Sequence, residues 1–386
     1  MNNFEYHNPT RILFGAGQIA AMAKHIPSNA RVLMLYGGGS IKANGTYDEV
    51  KAALAGHVVL EFGGIEPNPH YETLMQAVAL IKAEKIDYLL AVGGGSVIDG
   101  TKFVAAAAVF DGEPWDILSI GGKVVQGAMP FGAVLTLPAT GSEMNSASVI
   151  TRAATREKRA FASRFVYPQF SVLDPSKTFT LPLRQVGNGV VDAFVHVMEQ
   201  YMTYPVNAPV QDRFAEGLLL TLIEQGPQVL SAPEDLEIRA NIMWTATLAL
   251  NGLIGVGVPQ DWATHMIGHE LTALFGLDHA QTLAIVLPGI LSVKREAKRG
   301  KLLQYAERVW GLREGTEDAR IDAAIERTRA FFEQMGVQTR LSGYGLDAAS
   351  AIDATVQALE AAGMTKLGEH RDVTPAVARA ALALSV

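Results

Sequence analysis

The chain has 386 residues, long for a single core, with 49% hydrophobic and 18% charged residues and a formal net charge of −7; two domains are the natural division. An acidic balance without a Lys/Arg tract argues against nucleic acid and against an anionic membrane surface as partners. There is no cysteine, which excludes disulfides, thiolate ligands and thiol redox chemistry and is compatible with a reducing compartment.

The first residues, Met-Asn-Asn-Phe-Glu-Tyr-His, show no basic region followed by an apolar core. The most apolar stretches, 103–110 and 244–258, are too short or too glycine-broken to span a bilayer. The expectation is a soluble, cytoplasmic protein. In chain order, Arg11–Phe14, Arg31–Tyr36, Val58–Phe62, 88–92, Phe131–Leu137 and Phe170–Leu173 read as buried strands, and helices are expected over 18–25, 47–55, 70–84 and 97–109. Such alternation predicts a parallel sheet with helices on both faces. Beyond Leu181 the strand signals stop and helical patterns run nearly to Val386. The proline-bearing stretch 174–182 marks the boundary, giving an α/β domain over 1–178 and an all-α domain over 179–386. No internal repeat or low-complexity segment is present, and the charge-rich stretch 313–327 reads as a solvated surface.

Two glycine clusters in the α/β half suit a dinucleotide. Gly93, Gly94, Gly95 and Ser96 follow a strand and open a helix, where glycines let a backbone approach a pyrophosphate and a helix N-terminus favours the anion. Gly37, Gly38, Gly39 and Ser40 repeat the arrangement one unit earlier. Either cluster alone is equally a plain tight turn. Gly15-Ala16-Gly17-Gln18-Ile19-Ala20 formally fits the G-x-G-x-x-A fingerprint, but the next strand ends in glycines with no acidic residue to hold a ribose, so that fingerprint is incomplete.

The helical half carries a histidine-rich stretch. Asp261 is an expected N-cap, Gly276 an expected C-terminal stop, and between them His265 and His269 stand four apart on one face of a helix over 262–275. His279 follows just past the stop, where a turn brings its ring back. Upstream, Asn188 is an expected N-cap and Asp192 and His196 are again four apart, in an apolar run where a buried carboxylate wants a partner. A lone histidine on an apolar helix is ordinarily a packed core residue; one carboxylate and three imidazoles converging suit zinc or ferrous iron with a position open to substrate. The His-x-x-x-His spacing does not signal a zinc protease, because Met266 stands where that motif needs Glu.

Taken in register, Gly93-Gly94-Gly95-Ser96-x-x-Asp99, Leu137-Pro138-Ala139-Thr140-Gly141-Ser142-Glu143, Asp192-Ala193-x-x-His196 and the His265, His269, His279 spacing resemble the iron-containing (group III) alcohol dehydrogenases over essentially the whole chain. Through 37–40 and 261–288 the chain is most similar to the bacterial NADPH-dependent aldehyde reductases of the butanol dehydrogenase branch. The resemblance implies a Rossmann-like N-terminal domain, an α-helical C-terminal domain and a cofactor in the cleft between them. It implies Asp192, His196, His265 and His279 as ligands of one Zn2+ or Fe2+, with His269 the non-ligand histidine. It also implies that Gly94, Gly95, Ser96 and Asp99 hold the pyrophosphate and adjoining ribose, that Thr136, Thr140 and Ser142 line the cofactor site, and that Lys158 lies near the nicotinamide ribose.

The implied reaction is the reversible NADP(H)-linked reduction of short- to medium-chain aldehydes to primary alcohols, with His269 and Asp99 as candidate catalytic residues and His269 relaying a proton. Members of the family commonly dimerise, so a homodimer is expected. In NAD-preferring members an Asp often occupies the place of Gly38; its absence here points to NADPH. Rival readings are a glycerol-type polyol dehydrogenase and a lyase like dehydroquinate synthase. The latter should show Lys or Arg near the ligands, and none lies within 190–200 or 260–280. A non-catalytic nucleotide-binding protein with a structural metal would ordinarily use Cys in a closed shell.

Overall fold

The computed structural model describes all 386 residues. Its strands are β1 (Arg11–Phe14), β2 (Arg31–Tyr36), β3 (Val58–Phe62), β4 (Tyr88–Gly94), β5 (Phe131–Leu137), β6 (Ala147–Arg152), β7 (Glu157–Ala162) and β8 (Phe170–Leu173). All six predicted strands form, with β4 running two residues further than expected. They make one parallel sheet in the order β1-β8-β5-β4-β2-β3. Period-two alternation splits its side chains between two cores: Leu33, Leu35, Leu89 and Ala91 go to one face, Val32, Met34, Tyr88, Leu90 and Val92 to the other. Both faces are covered, which is why these strands read as continuous apolar runs.

The helices of this half are α1 (Ser40–Ala43), α2 (Thr46–Ala53), α3 (Tyr71–Glu84), α4 (Gly95–Ala107) and α5 (Asp116–Ser119). The segment expected to be a helix over 18–25 forms as a 3-10 helix, Gln18–His25. Its N-cap Gly17 is left-handed, and the Gly17 amide donates to Asp174 Oδ2 at 2.8 Å, so the formal G-x-G-x-x-A match is an internal turn. The sequence did not announce β6 and β7, an antiparallel pair.

The later helices are α6 (Leu183–Tyr201), α7 (Pro209–Ser231), α8 (Leu236–Ala249), α9 (Ala263–Phe275), α10 (His279–Val293), α11 (Arg295–Arg308), α12 (Glu317–Gln334), α13 (Ala348–Ala361) and α14 (Pro375–Ala383). The chain falls into two compact units that are not contiguous in sequence. One holds the sheet and comprises His7–Leu181 with Glu234–Thr247; the other is helical and comprises Met1–Tyr6, Pro182–Pro233 and Leu248–Val386. Within the helical unit, α6 is buried continuously from Val186 to Tyr201. No helix is long and apolar enough to cross a membrane.

Two expected caps move. Asn188 is not an N-cap: α6 starts at Leu183, behind an N-cap Pro182, and Asn188 Nδ2 donates to Asp278 Oδ2 at 2.7 Å from inside the helix. The flanking Gly187 is there for packing, since a Cβ on it would lie 2.1 Å from the Met335 carbonyl oxygen. At α9 the N-cap is Trp262 rather than Asp261, with Asp261 Oδ1 accepting from the Ala263 amide at 2.9 Å. Gly276, at φ 68°, ends α9 in the expected left-handed turn.

Candidate active site

In the α/β unit the three stretches expected to hold the cofactor meet at the carboxyl edge of adjacent strands. Tyr36 of β2 pairs with Val92 of β4, and Gly94 pairs with Leu137 of β5, so the 37–40 turn, the 94–96 turn and the 140–142 turn leave the sheet side by side. That edge is where open α/β sheets bind ligands. The glycines are needed for close approach. A Cβ on Gly95 would sit 2.3 Å from Thr140 Oγ1, and one on Gly93 would sit 2.6 Å from Val97 Cγ2. A Cβ on Gly38 would meet nothing within 4 Å. Gly95→Ala should therefore destabilise the protein by about 1–3 kcal/mol, the usual range for overpacking, while Gly38→Ala leaves the denaturation midpoint in place; equal midpoints in chemical unfolding would show that Thr140 simply gives way.

Asp99, on α4, ties this edge together. Its Oδ1 accepts from Ser142 Oγ at 2.5 Å, its Oδ2 from the Val149 amide at 2.9 Å, and its carbonyl from Ser148 Oγ at 2.8 Å. Burial pushes its carboxyl above the ordinary range, against the pull of Lys102, the Ser142 hydroxyl and the Val149 amide. Lys102 is itself fully buried, donates to Asn145 Oδ1 and the Ala147 carbonyl at 2.8 Å each, and is pushed down to about 8 by burial. Thr140 Oγ1 accepts from the Ser142 amide at 3.2 Å, and Thr136 is buried in β5. Lys158, on β7, donates to Asn68 Oδ1 at 2.8 Å, and the Asn68 amide in turn donates to Ser96 Oγ at 3.3 Å. Asn68 thus joins two expected site residues, and sequence reasoning passed over it; its signal was its place between Pro67 and Pro69.

In the helical unit, donor atoms of Asp192, His265 and His279 lie within 4.8 Å of one another. Asp192 comes from the buried middle of α6, His265 from the first turns of α9 and His279 from the first residue of α10. The α10 start is fixed by a capping box in which Asp278 and Gln281 exchange bonds. His279 Nε2 is 3.8 Å from Asp192 Oδ1, and the side chains are 22% and 5% exposed, so the group opens on the His279 side. His196 is not part of that group of three. Its Nδ1 stands 3.6 Å from Asp192 Oδ1, and its ring stacks on that of His265 with centroids 4.7 Å apart. His269 is buried one turn along α9, its ring centroid 6.4 Å from that of His265 and 5.2 Å from that of His279.

Two further residues frame this cluster without having stood out in the sequence. Trp262 packs its ring 5.2 Å from His265 and 6.3 Å from His196, and its backbone sits at φ 64°, a strained setting for a bulky side chain. Glu199 lies on α6 seven residues after Asp192, on the same helical face, and its carboxylate bonds His265 Nδ1. One carboxylate with imidazoles at this spacing fits a divalent first-row cation.

Comparison with known proteins gives a consistent picture. Residues 9–175 match the pattern described as iron-containing alcohol dehydrogenase, and residues 187–373 match the C-terminal part of the Fe-containing alcohol dehydrogenase family. The NADPH-dependent aldehyde reductase YqhD of Escherichia coli is 64% identical over 381 residues, covering 98% of each chain. A probable NADH-dependent butanol dehydrogenase of Bacillus subtilis is 44% identical, covering 90% of this chain and 91% of that one. Among solved structures, the substrate- and cofactor-free Escherichia coli aldehyde reductase superposes with a TM-score of 0.94 at 61% identity over the full length of both chains. Butanol dehydrogenase A of Thermotoga maritima does so with a TM-score of 0.94 at 36% identity, covering 100% and 99%.

Proposed function

Because the chain belongs to the iron-containing alcohol dehydrogenase family, we propose that it reduces aldehydes to primary alcohols with NADPH, the α/β unit holding the dinucleotide and the helical unit the metal and the aldehyde. The observation that carries this reading is the convergence of Asp192, His265 and His279 within 4.8 Å in an oxidoreductase of this family. His196, stacked on His265 beside Asp192, completes the proposed ligand set. A divalent cation held there, Zn2+ or Fe2+, would polarise the aldehyde oxygen as a Lewis acid while a reduced nicotinamide supplies the hydride.

The remaining work falls to the chain's own groups. Gly94, Gly95 and Ser96 offer backbone and hydroxyl donors to a pyrophosphate at the N-terminus of α4. Asp99 keeps Ser142 and β6 in place at that edge. His269 passes the proton that the alcohol oxygen must acquire, imidazole being the side-chain type suited to that transfer near neutral pH. His269→Asn should keep the metal and the dinucleotide but lower kcat by about tenfold or more, somewhat below a general acid's usual share because water substitutes in part. Loss of metal in that variant would instead make His269 a ligand.

The deciding experiment is metal analysis of the purified protein joined to turnover assays on a series of straight-chain aldehydes with NADPH and NADH. The expected result is a stoichiometric divalent cation and turnover with NADPH. A metal-replete protein that reduces none of the aldehydes with either nucleotide would overturn the proposal.

A further inference from the structure

Three α6 residues share one face at a spacing of four and then three: Asp192, His196 and Glu199. The first two belong to the proposed ligand set. The third, with its side chain only 2% exposed, has no solvent to stabilise it and is satisfied by the start of α9. Its Oε1 accepts from the Thr264 amide at 2.7 Å, and its Oε2 accepts from the His265 amide at 3.3 Å and bonds the His265 ring at Nδ1. The Glu199 carbonyl accepts from the Asp261 amide at 2.9 Å. One residue thus makes four bonds to Asp261, Thr264 and His265 on either side of Trp262, where the backbone is left-handed and the ligand-bearing helix begins.

The opposite side of that turn is braced by a buried cation. Lys298 Nζ donates at 2.7 Å to Asp261 Oδ2, to Glu369 Oε1 and to the Met202 carbonyl. The Asp261 carboxylate is thus held by Lys298 and the Ala263 amide, while the Glu199 carboxylate bonds the α9 amides and the imidazole. An imidazole whose Nδ1 donates to a carboxylate is set in the tautomer that presents its lone pair at Nε2, and the anionic acceptor raises the basicity of that nitrogen.

We propose that Glu199 is a positioning residue for the metal centre: by accepting hydrogen bonds from His265 Nδ1–H and from the Thr264 and His265 amides at the start of α9, it fixes the ring tautomer and orientation in which Nε2 is the coordinating nitrogen. The inference rests on the ligand set proposed above. Glu199→Gln preserves the size of the side chain and an oxygen acceptor while removing the charge, so it separates ligand tuning from simple space-filling.

The test compares the full-length parent, His265→Ala and Glu199→Gln. Zn2+ affinity is measured by competition with a chromophoric chelator, and the visible spectrum is recorded after loading with Co2+. Glu199→Gln should bind Zn2+ about 10–100-fold more weakly than the parent, the usual effect of losing such an outer partner, with a shifted Co2+ spectrum and an unchanged NADPH affinity. If His265→Ala loses the metal while Glu199→Gln matches the parent in affinity and spectrum, the role of Glu199 is disproved and the ligand set stands. If His265→Ala binds Zn2+ as the parent does, the ligand set is wrong and this inference falls with it. Should Glu199→Gln not fold, the parent decides alone: long-range 1H–15N spectra of the Zn2+-loaded protein must show His265 protonated at Nδ1 and metallated at Nε2, and the reverse assignment overturns the proposal.

Discussion

Replacing His265 or Asp192 with Ala is expected to strip tightly bound divalent metal from the protein and to lower turnover by roughly 10^3-fold or more, since Lewis-acid stabilisation of a developing oxyanion contributes several kcal/mol and each 1.36 kcal/mol is tenfold in rate. The fold should survive. α9 is anchored by Ala263, Ile267 and Leu271, and α6 is packed by Val190, Phe194 and Val195, all fully buried and none of them a donor. His265→Ala also leaves the Glu199 carboxylate short of one partner in a buried setting, a loss on the order of 1–3 kcal/mol, so its melting temperature should fall somewhat while unfolding stays cooperative. Elemental analysis, NADPH titration and circular dichroism on the two variants check this. Full metal occupancy in both would remove Asp192 and His265 from the ligand set.

The second large effect concerns nucleotide choice. Relatives dependent on NADPH and on NADH both occur in the family, so membership does not decide it and the residues must. An NAD-selective site places a carboxylate at the end of the second strand, where it bonds the ribose hydroxyls and repels a 2′-phosphate. Here β2 ends in Tyr36 followed by Gly37, Gly38, Gly39 and Ser40, which leaves backbone amides and a hydroxyl in that place. The ammonium of Lys42 sits beside the same turn, 5.1 Å from the Tyr36 ring centre and 5.0 Å from that of Tyr47. The parent should therefore favour NADPH. Because the space beyond Gly38 is open, Asp fits there without a clash, and a like-charge contact costing several kcal/mol should shift the kcat/KM ratio of NADPH to NADH by about 10^2-fold or more toward NADH in Gly38→Asp. Equal use of the two nucleotides by the parent, or an unchanged ratio in the variant, would mean that the 37–40 turn only reverses the chain.

The sheet was legible because its central strands β2, β4, β5 and β8 are buried on both faces and bounded by glycine, proline or charge, as at Arg31 and Gly37; the edge strands β1 and β3 form as expected but are only partly buried, with Phe14 and Val58 exposed. β6 and β7 were not legible. Ala147–Arg152 and Glu157–Ala162 interrupt their apolar residues with Ser148, Thr151 and Arg152 and with Glu157, Lys158 and Arg159, and the turn between them contains neither glycine nor proline; Arg156 takes the left-handed position at φ 54° that a glycine would have advertised. Asn188 misled for the opposite reason. Gly187 and Gly189 look like a helix boundary, but Gly187 lies inside α6 to let the Met335 carbonyl approach. The histidine cluster was visible because Asp192 and His196 on α6, and His265 and His269 on α9, each stand four apart, with His279 close behind at the start of α10. Glu199 was hidden because its partners, Thr264 and His265, are more than sixty positions away, and periodicity sees only neighbours on one element.

The interleaving of the two units along the chain sets an order of events during synthesis. The sheet is complete in sequence once Phe170–Leu173 has been made, yet its unit also owns Glu234–Thr247, which supplies Met243 to the core, Trp244 against Phe14 with ring centres 5.8 Å apart, and the Thr247 hydroxyl to the fully buried Glu143. At ordinary elongation rates the ribosome needs roughly 3–13 s to travel from Leu181 to Thr247. Through that interval the nascent α/β unit lacks Met243 in its core, Trp244 against Phe14 and the hydroxyl partner of Glu143, while the ribosome makes the segment that holds Asp192 and His196. A fragment ending at Leu181 should therefore be less stable to chemical unfolding than one extended through Thr247, which restores Met243, Trp244 and the Thr247 hydroxyl to that unit.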